Sequence, residues 1–202
     1  WARQLESLDE ITNAMLSEME PGRLLQLVVD RASALLDARF VAVFVATPDG
    51  LLEIAAAKGE QAEELVGFRL AADRSKSGRV FEAGAGVRVD SVLDDPDADP
   101  DLMRRVGARA GLWAPLVTRG EAIGVLMALD RRGDDPRFTD VDLRLVQRFA
   151  SRAAVAVDLS RRVARTTVQR IVDGQEQERR RLSRELHDET GQALTSILLG
   201  LK

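Results

Sequence analysis

From Thr139 to Lys202 the sequence holds no proline and only three glycines, Gly174, Gly191 and Gly200. Over the same stretch apolar residues return at steps of three and four. They run from Leu143, Val146 and Ala150 through Val157, Val168 and Ile171 to Leu186, Leu194, Ile197 and Leu201. That rhythm predicts a helix with one apolar stripe, either unbroken or as two abutting pieces. Unbroken, it is about 95 Å long at ~1.5 Å per residue. No domain built from the residues ahead of it can cover such a stripe along its length. A parallel copy of the same helix can, so the spacing predicts a homodimeric coiled coil. Between 157 and 182 the seam is thin and rich in arginine, which predicts loose packing there.

Ahead of Thr139 the periods are mixed. Leu5, Leu8, Ile11, Met15 and Met19 predict a helix over 1–19. Pro21-Gly22 ends it and opens a second helix to about residue 37, because proline is tolerated in a first turn. Phe40 to Val45 is β-branched and aromatic, Pro48-Asp49-Gly50 is a turn, and Leu51 to Ala55 returns as a strand. Short helices are predicted at 60–66 and 75–84, and a short strand at Val87-Arg88-Val89. Asp94 to Asp101 reads as a solvated loop that caps a helix reaching about Val106. The clearest hairpin joins Leu112–Val117 to Ala122–Leu129 through Arg119-Gly120. The order predicts an α/β (α+β) domain with a mostly antiparallel sheet flanked by helices, followed by the long helix.

Composition removes several classes of function. With 45% hydrophobic residues the chain can bury a core. It has no cysteine, so disulfide scaffolds, cysteine-ligated metals and thioether-linked pigments are excluded. The acidic loop lacks the glycine and the distal glutamate of a calcium loop, and no metal site is expected. Net charge is −4, and the eight arginines of 161–184 face three acids without interleaved aromatics, so no nucleic-acid partner is expected. No apolar run reaches the roughly 18–20 residues that span a bilayer. The absence of cysteine suits a reducing cytoplasm, and with neither an initiator Met nor a signal peptide pattern at Trp1 and an apolar stretch running into Lys202, both ends look cut, as in an internal piece of a longer protein whose anchor, if any, lies elsewhere.

Three stretches resemble GAF domains, over about residues 20–160. Ser77-Gly78-Arg79-Val80-Phe81-Glu82-Ala83-Gly84 is similar to their mid-domain helix. Ala114-Pro115-Leu116-Val117 with Gly120 and Ile123-Gly124-Val125-Leu126 is similar to their central hairpin. Phe138-Thr139-Asp140-Val141-Asp142-Leu143 is similar to the start of their last helix, where Thr139 suits an N-cap. The resemblance implies a sensory module with a small-molecule pocket on one face of the sheet. Asp130-Arg131 stands where the cyclic-nucleotide class carries Asn-Lys, which disfavours that class. A bilin needs a cysteine, and a haem held by a domain histidine is excluded because the only histidine is His187. A noncovalent apolar ligand stays open, with Phe44, Phe68, Phe81, Trp113 and Met127 as lining candidates beside their plainer role as core.

The stretch Glu178-Arg179-Arg180-Arg181-Leu182-Ser183-Arg184-Glu185-Leu186-His187-Asp188-Glu189-Thr190-Gly191-Gln192 resembles the phosphoacceptor helix of histidine kinases that partner with NarL/LuxR-type response regulators. Leu182, Leu186, Ala193, Ile197 and Leu201 form its inward stripe, and His187 lies about 100° from Leu186, at the stripe's edge. A neutral imidazole with a pKa near 6.5 is a competent nucleophile at pH 7. The resemblance implies that His187 accepts the γ-phosphoryl group of ATP and that Asp188 orients and polarises its ring. It further implies that Gln192, one turn beyond Asp188, positions the water that dephosphorylates the regulator. ATP and Mg would be served by a catalytic domain that this sequence lacks, so no cofactor is expected in the chain itself and it is inactive alone.

The expected organisation is therefore an N-terminal helix at 1–19, a GAF-like sensory domain at 20–160, a coiled-coil signalling helix at 161–178, and the start of the dimerisation and phosphotransfer helix at 179–202. The rival readings are a ligand-binding and dimerisation module with a non-kinase output, and a coiled-coil spacer.

Overall fold

The computed structural model describes residues 21–163. The helix expected at 1–19, the coiled coil beyond 163, and His187, Asp188 and Gln192 lie outside the described residues. Contacts divide the chain between Arg161 and Arg162, and every element from Pro21 to Arg161 belongs to the first unit.

Helix α1, Pro21–Leu36, buries Leu24, Leu25, Val28, Val29, Ala32 and Leu36. Adjacent pairs repeated every four residues make a broad apolar stripe, as a helix lying on a sheet needs. Asp37 then takes the left-handed conformation at φ 48°, which stops the helix and turns the chain back. Strand β1, Ala38–Ala46, follows, and β2, Leu51–Lys58, returns beside it. The alanines 55–57 carry little strand propensity, yet the sheet recruits them through a bulge: Val43 pairs with Ala56 and Phe44 with Ile54, leaving Ala55 as the extra residue. The bulge changes the parity of the strand. Leu52, Ile54 and Ala57 join the cluster on one face, and Ala56 the cluster on the other.

Helix α2, Ala62–Leu65, is shorter than the 60–66 expected, because Gln61 is left-handed and Gly67 has φ 87°. Strand β3, Arg69–Ala71, has no counterpart among the elements expected from sequence. Its three residues are too few to show a period, and it exists by pairing with Leu51–Glu53 of β2. Helix α3, Lys76–Ala83, ends at Gly84 in the left-handed region, and β4 is Val87–Val89. Helix α4, Pro100–Val106, starts on proline and is capped by Asp99. Strands β5, Gly111–Thr118, and β6, Glu121–Arg131, are joined by Arg119 and Gly120, both at positive φ, as a two-residue hairpin turn requires. Pro115 is tolerated in β5 because β4 pairs only with Gly111–Trp113.

The sheet is antiparallel throughout, in the order β3-β2-β1-β6-β5-β4. Its central strands bury both faces by simple alternation. Val41, Val43, Leu112, Ala114, Leu126 and Ala128 face α1 and the last helix, α5 (140–161 in this unit), which contributes Val146, Phe149, Ala150, Ala153 and Val157. Phe40, Phe44, Trp113, Val125, Met127 and Leu129 face the opposite way, toward α2, α3 and α4. At the start of α5, Asp142 N–H donates to Thr139 Oγ1 at 3.2 Å while Thr139 N–H donates to Asp142 Oδ2 at 2.7 Å, a reciprocal capping pair. No helix among the described residues is long and apolar enough to cross a membrane.

Asp130, at the end of β6, ties the two halves of the sheet. It is 4% exposed and left-handed at φ 48°. Its Oδ1 accepts the N–H groups of Arg109 and Ala110, each at 2.8 Å. Its Oδ2 accepts Arg39 Nη2 at 2.8 Å, and the same nitrogen donates to the carbonyl of Val106 at 2.8 Å. The position where the cyclic-nucleotide class carries asparagine thus holds a structural carboxylate with its acceptor capacity used internally.

Candidate functional site

The face of the sheet away from α1 and α5 is roofed by α3, α4 and the segment between β4 and α4. The roof is pinned at Gly78. A Cβ there would collide with the carbonyl of Ala72, so only glycine lets α3 settle onto the 3-10 turn Ala72–Arg74. Ser75 caps α3, its Oγ accepting Gly78 N–H at 3.1 Å.

The acidic stretch 94–101 is not the solvated loop expected. Asp95 and Asp97 have side chains only 10% and 17% exposed, and both bind α3. Lys76 Nζ lies 2.8 Å from Asp95 Oδ2 and 3.3 Å from Asp97 Oδ2, and Arg79 Nη2 lies 2.7 Å from Asp97 Oδ1. The Lys76 N–H adds a backbone bond to the Asp97 carbonyl at 2.6 Å. Asp97 N–H donates to Asp95 Oδ1 at 2.9 Å, which fixes the turn that presents both carboxylates. The capping part of the expectation holds, since Leu102 N–H donates to Asp99 Oδ1 at 2.8 Å. The segment is a clasp: two carboxylates matched to two cations, partly withdrawn from water, where an ion pair is screened less than on the open surface. The clasp residues escape sequence reasoning because Lys76 and Arg79 lie about twenty positions upstream of their partners, and no local pattern links them.

Beneath the clasp is a cavity of about 10 Å³, room for roughly one water molecule. Leu70, Leu102, Met103, Trp113 and Met127 line it together with Ser75 and Ser77, and Lys76 and Asp99 border it. Trp113 and Met127 are cross-strand partners on β5 and β6. The benzo edge of the indole lies over Gly111, where a Cβ would strike Cη2 and Cζ3. Trp113 is 1% exposed, and among the described residues its indole nitrogen is the one buried side-chain polar atom without a hydrogen-bond partner. A buried donor left unpaired costs roughly 1–3 kcal/mol.

Of the five aromatic and methionine residues proposed from sequence, Trp113 and Met127 line this cavity. Phe44 is fully buried in the same cluster without lining it, and Phe68 and Phe81 are partly buried against that cluster. The Phe68 ring also carries the Arg105 guanidinium 5.7 Å from its centroid. No group of His, Cys, Asp or Glu able to hold a metal ion occurs among the described residues.

A second concavity, an open groove of about 340 Å³, is bordered by Arg88, Asp90, Asp135, Arg137 and Asp140. Its charges answer one another: Arg88 bonds Asp140 and Asp90, and Arg137 clasps Asp135 through two bonds of 2.9 Å. Hydrogen bonds from Arg137, side chain and then backbone, hold the Asp135 carboxyl down at about 2. With both cations engaged by neighbouring carboxylates, the groove is a surface ion-pair network and not a site with charge to offer.

Comparison with known proteins places this geometry. The GAF domain family matches residues 20–157, and a histidine kinase family matches residues 178–202. Among solved structures the chain is similar to the GAF domain of a phosphoenolpyruvate-protein phosphotransferase from Coxiella burnetii, at 21% identity, TM-score 0.69, covering 80% of this chain and 96% of that one. It is similar to free methionine-R-sulfoxide reductase from Neisseria meningitidis in complex with its substrate, at 21% identity, TM-score 0.68, covering 80% and 92%. It is also similar to the GAF-B domain of DevS from Mycobacterium smegmatis, at 26% identity, TM-score 0.60, covering 73% and 99%. With the GAF match spanning more than half its length, the chain belongs to the GAF domain family, and a segment that matches a histidine kinase family follows, the pairing of a sensory and a phosphoacceptor portion of a sensor histidine kinase.

Proposed function

We propose that this chain senses a small molecule through its GAF domain and accepts phosphate on His187, for delivery to an aspartate of a NarL/LuxR-type response regulator. One juxtaposition carries the reading: a GAF match at 20–157 is followed by a histidine kinase match at 178–202, and the second spans Arg184-Glu185-Leu186-His187-Asp188.

In the proposed cycle one imidazole nitrogen of His187 attacks the γ-phosphorus of ATP. A P–N bond forms as the P–O bond to ADP breaks, while the Asp188 carboxylate accepts the hydrogen bond of the other nitrogen and stabilises the positive charge that develops on the ring. ATP and Mg are held by a catalytic domain supplied from outside these residues. The regulator's carboxylate then attacks phosphorus and the P–N bond breaks, returning the imidazole. In the reverse mode the Gln192 amide orients a water that hydrolyses the regulator's acyl phosphate to inorganic phosphate. The chain works in the cytoplasm, where ATP and the regulator are found.

A homodimer fits this scheme. Val141, Val155 and Leu159 fall on one face of α5, away from the stripe of Val146, Phe149, Ala150, Ala153 and Val157 that docks on the sheet. Val141, Val155 and Leu159 are each about half exposed, an unusual outlay of large apolar side chains on a helix that leads toward the phosphoacceptor segment. Sensing reaches that helix through one strand. Trp113 lines the cavity, while its neighbours Leu112 and Ala114 pack in the cluster that holds α5. A changed cavity shifts β5 and so biases the packing of α5, the two-state element of the scheme.

The test supplies ATP, Mg and the isolated catalytic domain of a kinase of the same family, then a NarL/LuxR-type regulator. Label is expected on this chain first and on the regulator second. His187→Gln abolishes both, and Gln192→Ala keeps both while slowing loss of label from the regulator. A regulator labelled equally well in the presence of the His187→Gln chain sinks the proposal and favours a GAF module with a non-kinase output.

A further inference from the structure

We infer that the acidic segment 1–20 docks on the exposed arginine face of α5 in its own chain and competes there with a second copy. The inference rests on the pairing of two chains through α5 proposed above and names what regulates it.

The face calls for an acidic partner. Arg144, Arg148 and Arg152 stand one turn apart on α5, all exposed, with Val141 before them and Val155 and Leu159 after. Like charges at that spacing repel, and the acids of α5 are engaged elsewhere: Asp140 pairs with Arg88, Asp142 with Arg131 and Asp158 with Arg119. A second copy seated on this face would bring arginine against arginine in either direction. A carboxylate, by contrast, matches the guanidinium fork. Residues 1–20 hold Glu6, Asp9, Glu10, Glu18 and Glu20 against Arg3, which amounts to the chain's entire net charge of −4. The same segment carries Leu5, Leu8, Ile11, Met15 and Met19 at helical spacing, apolar matter for Val141, Val155 and Leu159. Direction and reach agree. On one face of the sheet, α1 ends and α5 begins beside the Ala38–Arg131 pair, so the two helices run in opposite senses. Pro21, where the segment joins α1, therefore lies toward the Asp158 end of α5. As a helix the segment would span about 30 Å, against about 27 Å from Val141 to Leu159, at ~1.5 Å per residue. Folded back at Pro21-Gly22, it brings Met15 and Met19 toward Val155 and Leu159, and Glu6, Asp9 and Glu10 toward the three arginines.

The experiment uses the whole chain, whose lack of cysteine lets introduced pairs report proximity without background. Met15→Cys/Val155→Cys leaves both sets of charges intact. Its oxidation is expected to close a disulfide within one chain, read by non-reducing electrophoresis and peptide mass. Glu6→Lys/Asp9→Lys/Glu10→Lys is expected to slow that closure roughly tenfold, as three attractions become repulsions. The same reversal is expected to speed the covalent dimer formed by Val155→Cys alone. Adding Arg144→Glu/Arg148→Glu/Arg152→Glu to the reversed segment is expected to restore closure, which damage to folding would not do. A disulfide from position 15 to position 155 of another chain, closure indifferent to the reversal, or no closure at all overturns the inference. So does a Val155→Cys dimer that forms equally well with and without the reversal. A Val155→Cys dimer in no variant sinks the pairing reading, and the competition with it. Phosphate transfer through His187 is measured separately and stands or falls alone.

Discussion

Replacing Asp130 by alanine should unfold the GAF domain more readily than almost any other single change of a charged residue. The buried carboxylate satisfies two backbone N–H groups, those of Arg109 and Ala110, and each loses a charged acceptor worth about 1.5 kcal/mol. The Arg39 pair adds less, about 0.5–1 kcal/mol, because that guanidinium is 32% exposed and partly screened by water. Alanine tolerates the left-handed backbone at φ 48° less well than aspartate, at a further cost of about 0.5 kcal/mol. The expected loss is about 4 kcal/mol. Asparagine keeps an oxygen for the two N–H groups and the left-handed conformation, so Asp130→Asn should lose only about 1–2 kcal/mol. Urea unfolding followed by Trp113 fluorescence in the Trp1→Phe chain reads this domain directly. With a slope of ~2 kcal/mol/M, the alanine variant should unfold about 2 M earlier at unchanged slope. A shift below about 0.5 M, or equal shifts for alanine and asparagine, would refute the claim that the two N–H bonds dominate.

Gly78→Ala should cost at least ~2 kcal/mol in thermal unfolding, because the new methyl meets the Ala72 carbonyl and not a side chain that can swing away. A variant as stable as the parent would show that α3 does not rest on Ala72. Asp97→Asn should speed amide exchange across 91–99 while changing global stability by only about 1–2 kcal/mol, since it frees Lys76 and Arg79 from one shared partner. Unchanged exchange there would argue against a clasp. The Asp135 carboxyl should titrate at about 2 by carbon NMR. Its folded value is depressed, so its contribution to stability is complete above about 3.8 and is lost as pH falls toward 2. A midpoint near 3.8 would mean that the Arg137 bonds do not persist in solution.

Local chemistry makes much of this fold readable. The α1 stripe, the Arg119-Gly120 hairpin and the Thr139 cap are all set by neighbours within a few positions, and each is legible. Leu51 to Ala55 is legible as a strand, but not its extension to Lys58, because Ala56–Lys58 are held by pairing with β1 and not by propensity. Arg69–Ala71 is hidden for the same reason. Asp95 and Asp97 look solvated because acids in a proline-broken run usually are, and only the fold brings Lys76 and Arg79 to them. Asp130 stands out in the sequence only for what it is not. Its partner Arg39 is 91 positions away, beyond any local signal. Trp113, Met127, Phe44, Phe68 and Phe81 can be chosen as apolar residues of one domain, and the structure gathers them on one face of the sheet. That the indole nitrogen is left without a partner cannot be read from the sequence, since it depends on what fills the surrounding space.

The claim that binds the two halves of the account is that His187 carries phosphate. The direct measurement is mass spectrometry of the chain after reaction with ATP, Mg and the catalytic domain, digested and kept at neutral to alkaline pH. The account predicts one added phosphoryl group on the peptide holding His187, lost on brief acid treatment. Phosphate found instead on Ser183, Thr190 or another hydroxyl, stable to acid and retained in His187→Gln, would contradict it.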